Sequence, residues 1–542
     1  MKSFTVSAAC ARWAAPLAAL GLWGCTALPQ ADELEALASQ RAAQQQAVLA
    51  QAQAWARTEA SQWRSPDWAD LASHALRVNL PWKVAEVAGW LAQDQAEQAM
   101  AQALPSVSLS RTQTRRDVDD ALSTGSNAGV VRSLSAAELA WDVAGASGVW
   151  LRARAAGQRS AQSQLSVQAA VQQVMLDFQA ALGQAVAAQA AQPDLTLALA
   201  RLDASLALTQ RLLPLGLQDP VTVAEWHASL LELRRQVVAE LAQGEQAREK
   251  LASLLQLDDA RLLPQPLPPA PLPDPQRLAR IGDMPWPLLV GQTLRQRRDL
   301  RELDLELEAL RLEQLGTWFA GLPGMRVQRT SRTDSNPVLL NNQWIEQGHT
   351  ASWSLASLLS AWQQHRSLGH AREHERLRQQ LLAFSAVEQV RLARLNVQSA
   401  RSRWTLAAPV VQARAFQRDV RLARQPFLDN DEIEQARAVA QHALAVAAQA
   451  RNQADMQRAW TQWLASVGLE TVPLPPGGFR AGQLTADMAA ASLRTHWARL
   501  EQDAVQLATA QAQADPITAG ARPCSPCCAG CWSARCCKTW AC

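Results

Sequence analysis

The segment His370-Ala371-Arg372-Glu373-His374 has residue types and spacing that could support catalysis. On a helix, two imidazoles four positions apart share a face. His370 and His374 could ligate zinc while Glu373 acts as general base on a bound water, given a third ligand downstream; the chemistry would be peptide hydrolysis. The motif sits in a polar run rich in Gln, Arg and His, with no cleft-forming domain around it. A solvated helix face is therefore expected, and no catalytic residue, metal or cofactor is expected. Cysteine chemistry is equally limited. Seven of the nine cysteines fall between Cys524 and Cys542. Cys524-x-x-Cys527 could serve zinc, but two such pairs arranged around a folded knuckle are not visible.

The bulk numbers bound the scaffold that carries these residues. The chain has 542 residues, 48% hydrophobic and 19% charged, which is a folded composition long enough for several domains or one elongated repeat. A net charge of +3 gives no basic patch for nucleic acid. Past the N-terminus no apolar run can span a bilayer as a helix, so a membrane crossing would have to be a β-barrel. Residues 1–24 read as a signal peptide, with Lys2 and Arg12 ahead of an apolar run from Trp13 to Trp23. Leu22-Trp23-Gly24-Cys25 resembles the lipobox of bacterial lipoproteins. That resemblance implies acylation of Cys25 at the head of a lipidated segment, 25–65, and Thr26 favours an outer-membrane destination.

A Pro-rich linker at 262–285 divides two copies of one plan, 66–261 and 286–470. Trp141, Trp150, Arg154 and Gly157 recur as Trp353, Trp362, Arg366 and Gly369 at one offset, and Pro105-Ser-Val107-Ser-Leu109 finds Pro323-Gly-Met325-Arg-Val327. Each copy holds a hairpin of alternating residues: strands at about 105–116 and 131–143, then 323–333 and 344–355. Polar loops rich in Ser, Asn, Gly and Asp join them. Each hairpin leads into a helical run of about 70 residues with coiled-coil rhythm, on the order of 100 Å long. Shorter helices before the hairpin and after the far turn pair with it. The turns fall at Gly216 to Asp219 and at Gln425 to Glu434, where Pro214, Pro220 and Pro426 break the helices and Asp219 and Asp431 suit N-caps. Residues 471–542 read as a disordered, Cys-rich tail without a role.

In order and spacing, the doubled plan resembles the TolC-like outer-membrane efflux proteins over about residues 66–470, with "DSNPVLLNNQWIEQGHTASWSLASLLSAWQQ" similar to the second hairpin of a lipoprotein branch. The expected fold is mainly α with four β-strands per chain: a duplicated strand hairpin plus long helical hairpin. The resemblance implies a homotrimer whose twelve strands close one β-barrel on an α-helical barrel, since four strands alone leave edges open in lipid. It implies a conduit from periplasm to exterior for efflux or type I secretion, with a periplasmic adaptor, an inner-membrane pump and outer-membrane lipid as partners. It further implies a periplasmic aperture or adaptor-docking site at Gly216, Asp219, Asp429, Asn430 and Asp431, where three copies of the acidic turn would gather cations. Trp141 and Trp353 would lie at the barrel rim. The competing reading, a periplasmic coiled-coil lipoprotein without a pore, leaves the two hairpins unexplained. The 21 Trp, alongside no Tyr, are assigned in part to interfacial girdles.

Overall fold

Period-two alternation and helical stripes sort the chain into one sheet and a set of very long helices. The computed structural model describes residues 31–60, 63, 65–115, 131–215, 219–271, 285–320, 322, 324–335, 340–352, 354–423, 429–469 and 486–509. The elements are α1 (Ala31–Ala60), α2 (Trp68–Val78), α3 (Leu80–Ala101), β1 (Ser106–Arg115), β2 (Val131–Asp142), α4 (Val143–Leu215), α5 (Pro220–Leu254), a 3-10 turn (Ala260–Leu262), α6 (Trp286–Gln296), α7 (Arg298–Ala320), β3 (Gly324–Asp334), β4 (Gln343–Ser352), α8 (Leu355–Ala423), α9 (Asp429–Val467) and α10 (Ala486–Thr509).

The strands form one antiparallel sheet in chain order, β1-β2-β3-β4, with β1 and β4 at its edges. The two hairpins share a register. Val107 faces Leu139 in the first, and Met325 faces Ala351 in the second, displaced by 218 and 212 residues. The helices beneath repeat the order of the strands: α3 packs on α4, α4 on α7, and α7 on α8. Below them, α5 and α9 pack along the lower halves of α4 and α8.

Helices α4 and α8 run for 73 and 69 residues, about 110 and 100 Å at 1.5 Å per residue. No isolated stripe of apolar residues stabilises so long a helix; successive clusters do. Around the middle of α4, Met175, Phe178 and Leu182 meet Leu71 of α2, Leu251 of α5 and Leu493 of α10. Around the middle of α8, Val390 and Val397 meet Trp460 and Trp463 of α9 and Leu289 of α6. Toward the turns, Leu195 and Leu202 pack with Leu230 and Val237 of α5 and Ile433 and Val439 of α9. Close approach of α4 and α5 depends on Gly244, where a Cβ would meet the Ala188 Cβ at 3.1 Å.

Two features depart from the sequence reading. Part of the segment expected to be disordered, residues 486–509, is a helix, because Ala490, Leu493, Trp497 and Leu500 form one buried stripe that docks on α2. Arg494 adds ion pairs to Asp67 at 3.0 Å and Asp70 at 2.9 Å, the two residues that form the capping box of α2. Second, the core holds tryptophans for which the sequence reading had no account beyond assigning part of the Trp to girdles: Trp82, Trp460, Trp463 and Trp497 are all buried.

Candidate functional site

Alternation gives the sheet two unlike faces. Following the register from strand to strand, Val107, Leu109, Leu139, Trp141, Met325 and Val327 share one face, and all six are exposed in the protomer. The opposite face carries Glu138, Arg326, Arg332 and Glu346, joined in cross-strand ion pairs. Arg326 reaches Glu138 at 2.9 Å and Arg332 reaches Glu346 at 3.2 Å. Trp344 Nε1 also donates to Glu346 at 2.7 Å. An exposed apolar face backed by a paired polar face is the pattern of a sheet that faces lipid outward and water inward.

Where sheet meets helix, Trp141 donates its indole N–H to the Ala103 carbonyl at 3.3 Å, which ties the end of β2 to the end of α3. Asp142 Oδ1 accepts from the Gly145 amide at 2.9 Å and caps the start of α4. Trp353 lies outside the described residues, as do Cys25 and Gly216.

At the far end, Asp219 caps α5 by accepting from the Thr222 amide at 3.1 Å. Helix α9 starts at Asp429, so Asp431 stands in its first turn instead of serving as its cap. Asp429, Asn430 and Asp431 thus place their backbone at the positive end of the α9 dipole, where carboxylates are favoured. Behind this turn, Glu434 accepts from Arg437 at 2.6 Å and lies 3.7 Å from Arg421 of α8. Arg437 in turn donates to the Ser229 hydroxyl of α5. One carboxylate therefore joins three helices. Further along, buried His442 of α9 accepts from Arg418 of α8; burial and the neighbouring guanidinium lower its pKa from the usual 6.5, against the pull of Asp194 and Asp419. Nothing in the sequence points to this pair, because its partners lie on different helices.

The zinc-like motif lies on an exposed helix face. His370, Glu373 and His374 are exposed on α8; Glu373 pairs with Arg376 at 3.7 Å and His374 with Glu375 at 3.0 Å. Among the described residues no group of three His, Cys, Asp or Glu could hold a metal ion, and no helix is long and apolar enough to cross a membrane.

By sequence, no protein family and no curated protein matches the chain. Solved structures do match. The CmeC outer membrane channel of Campylobacter jejuni superposes with a TM-score of 0.59 at 14% identity, over 79% of this chain and 89% of that one. The outer membrane protein VceC of Vibrio cholerae gives 0.56 at 15%, over 73% and 95%. The outer-membrane channel OprN gives 0.55 at 18%, over 75% and 91%. The chain has the TolC-like fold. In it α4 with α5 and α8 with α9 form the long helical hairpins below the sheet. One feature of this TolC-like chain was absent from the sequence reading: the Arg418–His442 pair.

Proposed function

We propose that the chain is the outer-membrane channel component of a tripartite efflux or type I secretion system, conducting substrate from the periplasm or a pump to the exterior as a homotrimer. The observation that carries this reading is that the two open edges are equivalent to the closed seam between the repeats. Inside the chain, β2 pairs with β3 and α4 packs on α7. The free counterparts are β4 with α8 at one flank and β1 with α3 at the other. Carried over by the two repeat offsets, the Glu138–Thr330 pairing becomes Thr350 of one copy facing Thr112 of the next. Three copies joined so would close twelve strands and leave no edge in lipid.

Exposed apolar side chains on the flanks support the same association. On α3, Leu80, Val84, Val87 and Leu91 follow helical spacing, and on α8 so do Leu377, Leu381 and Phe384. Stripes of this kind on both flanks of a water-facing helical layer mark an interaction surface. In this reading the protein sits in the outer membrane, anchored by acyl chains on Cys25, with Trp141 and Trp353 at the periplasmic rim of the barrel. A periplasmic adaptor docks at the tip, and the adaptor's inner-membrane pump supplies the energy. The aperture lies at Gly216, Asp219, Asp429, Asn430 and Asp431.

The test is a disulfide. The full-length chain carrying Thr112→Cys and Thr350→Cys should run as a covalent trimer on oxidation, and neither single variant should. The same preparation should open cation-conducting channels in planar bilayers. A monomer with no conductance would support the periplasmic coiled-coil reading instead.

A further inference from the structure

The offset that relates Val107 to Met325 also relates α2 to α6: Trp68, Leu71, Leu76 and Arg77 recur as Trp286, Leu289, Leu294 and Arg295. The two helices differ in what covers them. Nearly all of α2 is buried, whereas α6 buries only Leu289 and Thr293. Leu76 is 5% exposed, and its counterpart Leu294 is 42% exposed. A large part of the difference is α10, which lies on α2 with Trp497 against Trp68 and Arg494 on Asp67 and Asp70. On α6 the places of those carboxylates are taken by Pro285 and Leu288, so Arg494 would find no anion there.

Pro287, Leu288, Gly291, Leu294 and Arg295 form one outward arc of α6 at helical spacing. A Cβ added at Gly291 would meet nothing within 4 Å, so the middle of the arc is open to close approach. Positive charge brackets it. Arg391 lies 5.2 Å over the Trp286 ring at one end; exposed Arg295 stands at the other, where Arg301 donates to its carbonyl at 3.4 Å. None of the three forms an ion pair among the described residues, unlike Arg297, which holds Asp299 at 2.9 Å.

We propose that this face docks an acidic amphipathic helix of a separate protein, in the place that α10 takes on α2. Apolar residues of such a helix would cover Leu288 and Leu294, and its carboxylates would meet the three guanidinium groups. Charge argues against the end of this chain as the occupant: residues 510–542 carry Asp515 against Arg522, Arg535 and Lys538. The packing argues against a neighbouring copy. Within the chain α2 and α6 do not pack on one another across the α4–α7 seam, and the equivalent seam between copies repeats that arrangement.

The probe is a synthetic peptide of the α10 sequence, residues 486–509, carrying Arg494→Glu and Arg499→Glu, titrated against the full-length protein in detergent and followed by fluorescence anisotropy. It should bind about tenfold more tightly than the unaltered peptide, and less tightly as ionic strength rises. In the protein, Leu294→Glu, or Arg295→Glu with Arg391→Glu, should weaken binding about tenfold, while Val221→Glu at an exposed site on α5 should leave it unchanged. Equal affinity for the two peptides, or binding indifferent to Leu294→Glu, would overturn the proposal. In cells, a photoreactive benzoylphenylalanine in place of Leu294 should cross-link to another protein, at a segment that sequencing identifies as an acidic amphipathic helix. Adducts confined to copies of this chain, residues 510–542 included, would overturn it as well. Neither readout depends on a pore, so the Thr112–Thr350 cross-link and the conductance test the channel separately.

Discussion

Arg418 donates a hydrogen bond to Nδ1 of His442 across 3.1 Å, so the imidazole accepts with a lone pair and is neutral. The pKa of His442 is lowered in the fold by burial first and by Arg418 second. The unfolded chain therefore binds the proton more readily than the native one, and this contribution to stability is whole above pH 6.5 and is lost as pH falls through the lower native value. Thermal unfolding followed from neutral to acidic pH should show a falling midpoint in the wild type and a flatter profile in His442→Gln. Parallel profiles would remove His442 as the source.

Trp463 is fully buried and stacks on Trp460, with ring centroids 5.3 Å apart and planes at 22°. The indole N–H of each finds no acceptor among the described residues. Trp463→Ala should cost about 3–5 kcal/mol through its cavity. Trp463→Phe should cost only about 1 kcal/mol, since it also removes a buried, unpaired donor. Denaturant midpoints of the two variants check the ordering.

Asp219 and the acidic turn of α9 should separate into two kinds of effect. Asp219→Ala removes a cap seen at 3.1 Å and should cost about 1 kcal/mol, with ion selectivity unchanged. Asp429→Ala with Asp431→Ala should abolish cation selectivity and divalent block in planar bilayers. Wild-type selectivity in that double variant would move the constriction elsewhere.

Replacing Cys25 with Ser should abolish labelling by radioactive fatty acid while leaving the Thr112–Thr350 trimer able to form. Labelling that persists in the variant would assign the acyl chains to another residue.

The fold class was legible because its signals are local. Trp141 and Trp150 recur at a fixed distance, and Val107, Leu109 and Leu139 alternate with Ser and Glu, so hairpin and helix announce themselves within short windows. Helix α10 was hidden because its stripe of Ala490, Leu493, Trp497 and Leu500 lies between a Pro/Gly-rich stretch and the cysteines, and its partner α2 is remote in sequence. Tryptophan roles were illegible for a related reason. Trp463 and Trp362 both occur at helical spacing, yet one is sealed between α8 and α9 and the other is exposed on α8. Only the packing of neighbouring helices distinguishes them.

The docking of α10 on α2 has a consequence for synthesis. Arg494 and Asp67 are 427 residues apart, yet Leu493 and Leu71 belong to one apolar cluster. A ribosome delivers α2 well before α10, so that cluster stays incomplete while the 427 residues between Asp67 and Arg494 are made. A chain cut short before Ala490 would leave the greasy side of α2 uncovered, a mark by which holdases and proteases could recognise it.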